Sequence, residues 1–276
     1  MSESTKNPFD TGYIVHKIQT SEAFVRAQND AETQYLSETD RIHKSVRMAA
    51  NVLKNEKPSG YLSPEGHAMN ITAQLTTFSD SIHEIHELRQ DHASHAEKLP
   101  ALLRIAEFNH AVKEMVSSNP SLGFGDVLSF IVDMNRNING NRGGGRRFEE
   151  EVRGVLVGMR HELAVEQMLG YMDDVEYREA TVAEDLKGAD VFVSVGGSPM
   201  FPIDIKSSLE KTERSRAAAE YSGFDGSYIV WSHINDDDFN GSFRISHEVA
   251  QSRSASLHND LVHISRKQAQ PVRQSA

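Results

Sequence analysis

The sequence predicts an α/β fold with a central mixed β-sheet flanked by helices, preceded by an N-terminal α-helical region. Three observations predict it. Apolar residues recur at helical spacing through the first half of the chain. The run Asn139-Gly140-Asn141-Arg142-Gly143-Gly144-Gly145 then breaks the pattern, because consecutive glycines cannot hold one backbone conformation. Beyond it the order is helix, two β-rich runs, helix and a further β-rich run, which suits a sheet covered by helices.

The elements follow in order. Ser37 to Asp40 forms a capping signal, and Tyr35, Ile42, Val46, Ala49 and Leu53 recur at helical spacing until Lys57-Pro58-Ser59-Gly60. Ser63-Pro64-Glu65 starts a second helix carrying Ile71, Leu75, Phe78, Ile82 and Ile85. A third carries Leu102, Ile105, Phe108, Val112 and Met115 up to Ser117-Ser118-Asn119-Pro120, and Val127, Phe130, Ile131, Met134 and Ile138 mark a short fourth. These make residues 1–140 a mainly helical region. Residues 141–265 form the second domain: a helix from about Arg146 to Met172, strands near Asp190 to Val195 and Pro202 to Lys206, and a helix around Thr212 to Tyr221. A strand-like run from Tyr228 to His233 and a final helix complete it. Gly196-Gly197 is a hairpin turn between the first two strands. Residues 266–276 have too few apolar side chains to pack and are expected to be a disordered tail.

Composition restricts the chemistry. With 276 residues, 38% of them hydrophobic and 25% charged, the chain is long enough for two globular parts and too apolar for global disorder. It has no cysteine, so disulfides, thiolate-held zinc and iron–sulfur clusters are excluded, and Asp, Glu and His are the strong metal ligands available. The polar start lacks a signal-peptide pattern and no apolar run is long enough to span a bilayer, which places the expected site of action in the cytoplasm, away from membrane. Residues 1–140 hold 13 basic against 18 acidic side chains, a net charge of -5, and the remainder holds 16 against 22, or -6. Neither part is a basic module, so a polyanion partner needs a local cationic track.

The chemistry concentrates in GADVFVSVGGSPMFPIDIKSS. Asp190 begins one strand and Asp204-Ile205-Lys206 ends the next, so alternation puts Asp204 and Lys206 on one sheet face and the hairpin brings Asp190 beside them. Two hard oxygen donors and an ammonium at one point are what Mg²⁺- or Mn²⁺-assisted phosphodiester hydrolysis requires. An isolated Asp-x-Lys is common at exposed strand ends; the upstream helix adds context. Its apolar stripe is Phe148, Val152, Val155, Met159 and Leu163, and Glu162 and Glu166 lie on or beside that stripe, where a carboxylate needs a cation or a basic partner such as Arg160 or Arg153.

The order Glu162, Asp190, Asp204-Ile205-Lys206 resembles the PD-(D/E)xK nuclease superfamily, which includes restriction enzymes, Holliday-junction resolvases and RecB-like nucleases. The resemblance covers roughly residues 146–233. It implies a restriction-endonuclease-like core and a metal-dependent nuclease, in the expected form an endonuclease on DNA, with RNA not excluded. It also implies metal binding by Asp190 and Asp204, the main-chain carbonyl of Ile205 as a further ligand, Lys206 as catalytic lysine and Glu162 as the helix acid, with Glu166 as the alternative. Ala189 replaces the proline that gives the superfamily its name, and no glutamine precedes Tyr221 at RecB-like spacing, so the subfamily stays open.

Arg142, Arg146 and Arg147 beside the glycine run, and Lys211, Arg214 and Arg216 after the Asp-x-Lys strand, are the candidate nucleic-acid contacts, or else solvated helix-end charges. His83, His86, His92 and His95 have metal-compatible spacing but read more simply as wet helix surface, while His161 is of interest as a neighbour of Glu162. Tyr228 and Trp231, flanking Ile229 and Val230, are expected in the core rather than stacked on a base. A homodimer and a protein partner for the helical region are both compatible with the sequence. So are a catalytically silent nucleic-acid-binding or assembly module of the same fold, and a helical interaction protein in which the Asp-x-Lys pattern is coincidental.

Overall fold

The computed structural model describes residues 7–32, 34, 36–55, 62–140, 145–221 and 226–269. The chain is mixed α/β and divides into two compact units, Met1–Val155 and Leu156–Ala276. The division falls inside a helix beyond the glycine run, of which Asn141 to Gly144 lie outside the described residues.

The first unit is helical: α1 (Thr11–Thr20), α2 (Glu22–Glu32), α3 (Glu38–Leu53), α4 (Pro64–Gln90), α5 (His95–Ser118), α6 (Phe124–Asn139) and the start of α7 (Gly145–Leu169). The helix starts follow capping chemistry. Ser37 and Ser63 hydroxyls accept from the backbone N–H groups of Asp40 and Gly66 at 3.1 Å each, and Ser94 forms a reciprocal capping box with Glu97. The anticipated stripes are largely buried: Val46, Ala49 and Leu53 on α3, Ile71, Leu75, Phe78 and Ile85 on α4, and all five α6 positions, whereas Ile42 is 38% exposed. Tyr35 and Lys57-Pro58-Ser59-Gly60 lie outside the described residues. At the core Phe78 stacks on Phe108 with centroids 3.8 Å apart, and Phe148 meets Phe78 edge-on at 6.0 Å. The α1 and α2 helices carry no strong sequence signal of their own; Ile14, Ile18, Phe24, Ala27 and Ala31 seal them by burial.

The second unit contains the rest of α7, β1 (Val175–Glu179), α8 (Val182–Asp185), β2 (Val191–Val195), β3 (Phe201–Lys206), α9 (Leu209–Tyr221), β4 (Ile229–Trp231) and α10 (His247–Ala269). The sheet order is β1-β2-β3-β4, antiparallel up to β3 and parallel between β3 and β4, with α9 as the crossover that a parallel pair requires. Gly196 and Gly197 both have positive φ, 58° and 76°, which explains the glycine pair at the β2–β3 turn. Alternation divides the sheet. Val191, Val193, Val195, Phe201, Ile203, Ile205 and Val230 share a buried core with Ala164, Val165, Met168 and Leu169 of α7 and Leu257, Leu261 and Ile264 of α10. Phe192, Pro202, Asp204, Lys206, Ile229 and Trp231 take the other parity and are half-buried.

Two expectations need correction. The strand β1 has no alternating apolar signal, being an edge strand with four exposed residues of five, and only pairing with β2 reveals it. The expected tail from Arg266 onward is helical as far as Ala269, and Gln268 donates to the Tyr228 hydroxyl at 2.8 Å; residues 270–276 lie outside the described residues. The basic last turn, Arg266 and Lys267, suits the negative end of the helix dipole, which a count of apolar residues overlooks. Among the described residues no helix is long and apolar enough to cross a membrane.

Candidate active site

Asp190 immediately precedes β2 and is fastened to β3 twice. Its N–H donates to the Ile203 carbonyl at 2.9 Å, extending the antiparallel ladder, and its carboxylate accepts the Ile205 N–H at 2.6 Å. The β3 strand then presents Asp204 and Lys206 on one face, joined to each other by an ion pair. Their side chains are 21% and 29% exposed, so the pair sits in a partly desolvated position that a ligand can still reach. In the parallel register Asp204 lies opposite Ile229 and Lys206 opposite Trp231, and the Lys206 carbonyl accepts the Ser232 N–H at 3.0 Å. The hairpin thus assembles Asp190, Asp204 and Lys206 through main-chain hydrogen bonds.

Electrostatics ties a helix acid to this group. Burial pushes the Asp190 carboxyl well above the usual carboxylate range, and the charges of Glu162 and Asp204 push it further; the Ile205 hydrogen bond and the Lys206 ammonium oppose them. The charge of Glu162 on α7 is thus felt at Asp190. The charge of Glu166, one turn on, is felt instead by Tyr177 of β1, whose hydroxyl is pushed up by burial first and then by Glu166 and Glu179. Of the two helix acids, Glu162 is the one that acts on the Asp190 carboxylate.

The flank of this group holds a polar network around His161. The ring is 1% exposed, its Nδ1 lies 2.7 Å from the Ser232 hydroxyl, and its Nε2 is 3.5 Å from Asp236 Oδ1. Burial lowers its pKa to about 4, so the ring is neutral at physiological pH despite the opposing pull of Asp236. Arg160 pairs with Asp236 and lies 4.6 Å over the Phe239 ring, which itself meets His161 edge-on. At Asp236 partial desolvation pushes the carboxyl up, but Arg160 and His161 outweigh it and the net direction is down. Sequence reading singled out His161 but not its partners. The acidic run Asp236-Asp237-Asp238 gave a visible signal, and nothing along the chain linked it to α7.

The cationic candidates separate. Lys211 donates to the Ser207 hydroxyl at 2.9 Å and lies near enough to His161 to help lower its pKa. Arg214 pairs with Glu210 along the exposed face of α9, and Arg216 Nε donates to the Ile229 carbonyl at 2.8 Å. Arg146 and Arg147 are exposed at the start of α7 in the first unit, with Arg146 paired to Glu150 at 2.8 Å; Arg142 lies outside the described residues. Arg153 pairs with Glu149 at 3.1 Å. His83, His86, His92 and His95 are all exposed.

Among the described residues no three histidine or carboxylate side chains converge tightly enough to enclose a metal ion. The donor set nevertheless fits a hard divalent cation. Asp190 and Asp204 are hard oxygen donors, and the charges of Glu162 and Asp204 both repel the Asp190 carboxylate, a repulsion that a cation relieves as the Lys206 ammonium does in part. Comparison of the chain with protein-family profiles, with curated protein sequences and with solved structures found no match.

Proposed function

We propose that the second unit is a metal-dependent nuclease of the PD-(D/E)xK type, with a restriction-endonuclease-like core, that hydrolyses DNA phosphodiester bonds. The observation that carries this reading is the hairpin that sets Asp190, Asp204 and Lys206 together, with the Asp190 carboxylate accepting the Ile205 N–H at 2.6 Å and Asp204 paired to Lys206, while the charge of Glu162 helps to raise the Asp190 pKa. Asp190 and Asp204 would hold Mg²⁺ or Mn²⁺, with the Ile205 carbonyl and the helix acid Glu162 completing the oxygen set, Glu166 being the alternative helix acid. When bound, the ion supplies charge neutralisation at the scissile phosphate and a lowered pKa for water. The residues of the chain do the remainder. The Ile205 N–H holds Asp190 in place, and Lys206, released from Asp204 by a competing phosphate, places its ammonium where transition-state charge develops. Lys211, beside Ser207, is the cation best placed to grip the backbone of the substrate.

One observation favours a catalytically silent binding or assembly module instead: Lys206 is already engaged with Asp204, and the carboxylates are not drawn into a closed ligand set. The discriminating experiment is cleavage of supercoiled, linear and branched DNA with Mg²⁺, Mn²⁺ or EDTA, comparing the parent chain with folded Asp204→Ala and Lys206→Ala variants. Metal-dependent cutting that falls by at least about 10²-fold in both variants supports the nuclease. No cutting and no metal binding under any condition transfers the assignment to the silent module.

A further inference from the structure

The half-buried sheet face that carries Asp204 and Lys206 ends in Trp231, the single tryptophan of the chain. The sequence places Trp231 and Tyr228 in the core because they flank Ile229 and Val230; the structure instead buries Val230 and leaves Trp231 half-buried on the opposite face. Tyr228, by contrast, does pack against the core. In the β3–β4 register Trp231 is the direct partner of Lys206, and paired residues on neighbouring strands stand about 5 Å apart with side chains on the same side. The indole is backed by His233, whose ring lies 4.7 Å away at 40°, and His233 is itself held by Asp260 at 2.9 Å. The Trp231 ring is half-buried beside Lys206, with its Nε1–H enclosed and without a hydrogen-bond partner among the described residues, and it is not a member of the hydrophobic core cluster.

We infer that Trp231 is a stacking platform for a nucleobase next to the phosphate engaged at Asp204 and Lys206. This rests on the nuclease reading, since it takes the occupant of the neighbouring subsite to be a nucleotide. The charges match that occupant: Lys206 and Lys211 attract a phosphodiester, and an aromatic face beside a phosphate grip accepts any base without sequence preference. The platform also favours unpaired or splayed bases over continuous duplex, because only an unstacked base offers a free π-face. Trp231 is thus a positioning residue that sets which nucleotide lies over the reacting group.

A single tryptophan makes the test direct. With Ca²⁺ in place of Mg²⁺, and the oligomer recovered intact afterwards, the full chain is titrated with a short single-stranded oligodeoxynucleotide and with an abasic oligomer of equal length. Binding is read by anisotropy of a labelled oligomer and Trp231 environment by indole fluorescence. The base-containing oligomer is expected to quench Trp231 and to bind about tenfold more tightly than the abasic one. Trp231→Ala is expected to erase that difference and Trp231→Phe to retain most of it. Equal affinity for both oligomers with unchanged indole emission, while Mg²⁺-dependent cleavage persists, overturns the stacking role and leaves the nuclease standing. Absence of both binding and cleavage overturns the nuclease reading and this inference together.

Discussion

The buried hydroxyls of α4 and the buried titratable groups Asp190 and His161 of the α/β unit are held in different ways. On α4 the buried hydroxyls of Thr72 and Thr76 and that of Ser81 donate to carbonyls of their own helix, at 2.8, 2.8 and 2.7 Å, and Ser81 also accepts the Arg104 Nε–H at 2.7 Å. In the α/β unit Asp190 and His161 are titratable and engage residues distant in sequence. The charges of Glu162 and Asp204 act on the buried Asp190 carboxyl, and His161 is held neutral between Ser232 and Asp236. The first pattern costs little and specifies packing. The second lowers stability at neutral pH and creates the electrostatic imbalance that a cation and a phosphate can use.

That contrast can be broken most severely in the helical unit. Phe78→Ala removes a fully buried ring stacked on Phe108 and should cost about 3–5 kcal/mol, read as a shift of the urea unfolding midpoint. A loss below about 1 kcal/mol would mean that the unit is loosely packed and that its polar groups are not ordered as described.

The next effect belongs to His161. Its pKa is near 6.5 in the unfolded chain and about 4 when folded, so the unfolded state binds the extra proton between those values. Stability from the neutral ring is complete above pH 6.5 and is lost as pH falls towards 4, by on the order of 2 kcal/mol. Chemical denaturation across that window should show the decline in the parent chain and a shallower one in His161→Gln. A His161 imidazole resonance, assigned by its loss in His161→Gln, that titrates above 6 would contradict the buried, neutral ring.

The smallest effect sharpens the comparison most. The folded pKa of Asp190 is raised, so its favourable contribution is present below the unfolded value and disappears as pH rises through the folded one. Asp190→Asn keeps an oxygen for the Ile205 N–H while removing the charge, and should stabilise the chain by about 1 kcal/mol at pH 7 and not at pH 3, as monitored by thermal melting. Destabilisation at neutral pH would show that the carboxylate is structural and remove the main support for an active site.

Several of these features are legible along the chain. The stripes of α3 to α6, the caps at Ser37 and Ser63, the Gly196-Gly197 turn and the β2–β3 hairpin bearing Asp190, Asp204 and Lys206 are each set by interactions within a few residues. The edge strand β1, the helical Arg266–Ala269 segment and the outward turn of Trp231 are not, because each depends on a partner far away in sequence. The choice between Glu162 and Glu166 has the same origin: both lie on one stripe of α7, and only their neighbours on the sheet distinguish them.

The sequence by itself determined the α/β class of the second unit, the helical character of the first and the placement of Asp190, Asp204 and Lys206 at one end of a hairpin, because helical and strand periodicity and tight turns are local properties of the backbone. Tertiary structure alone decided the parallel addition of β4, the neutral state of His161, the Arg160–Asp236 pair and the pressure of Glu162 on Asp190. Those depend on burial and on charges brought together from distant parts of the chain, and both are set by the packed fold rather than by any segment within it.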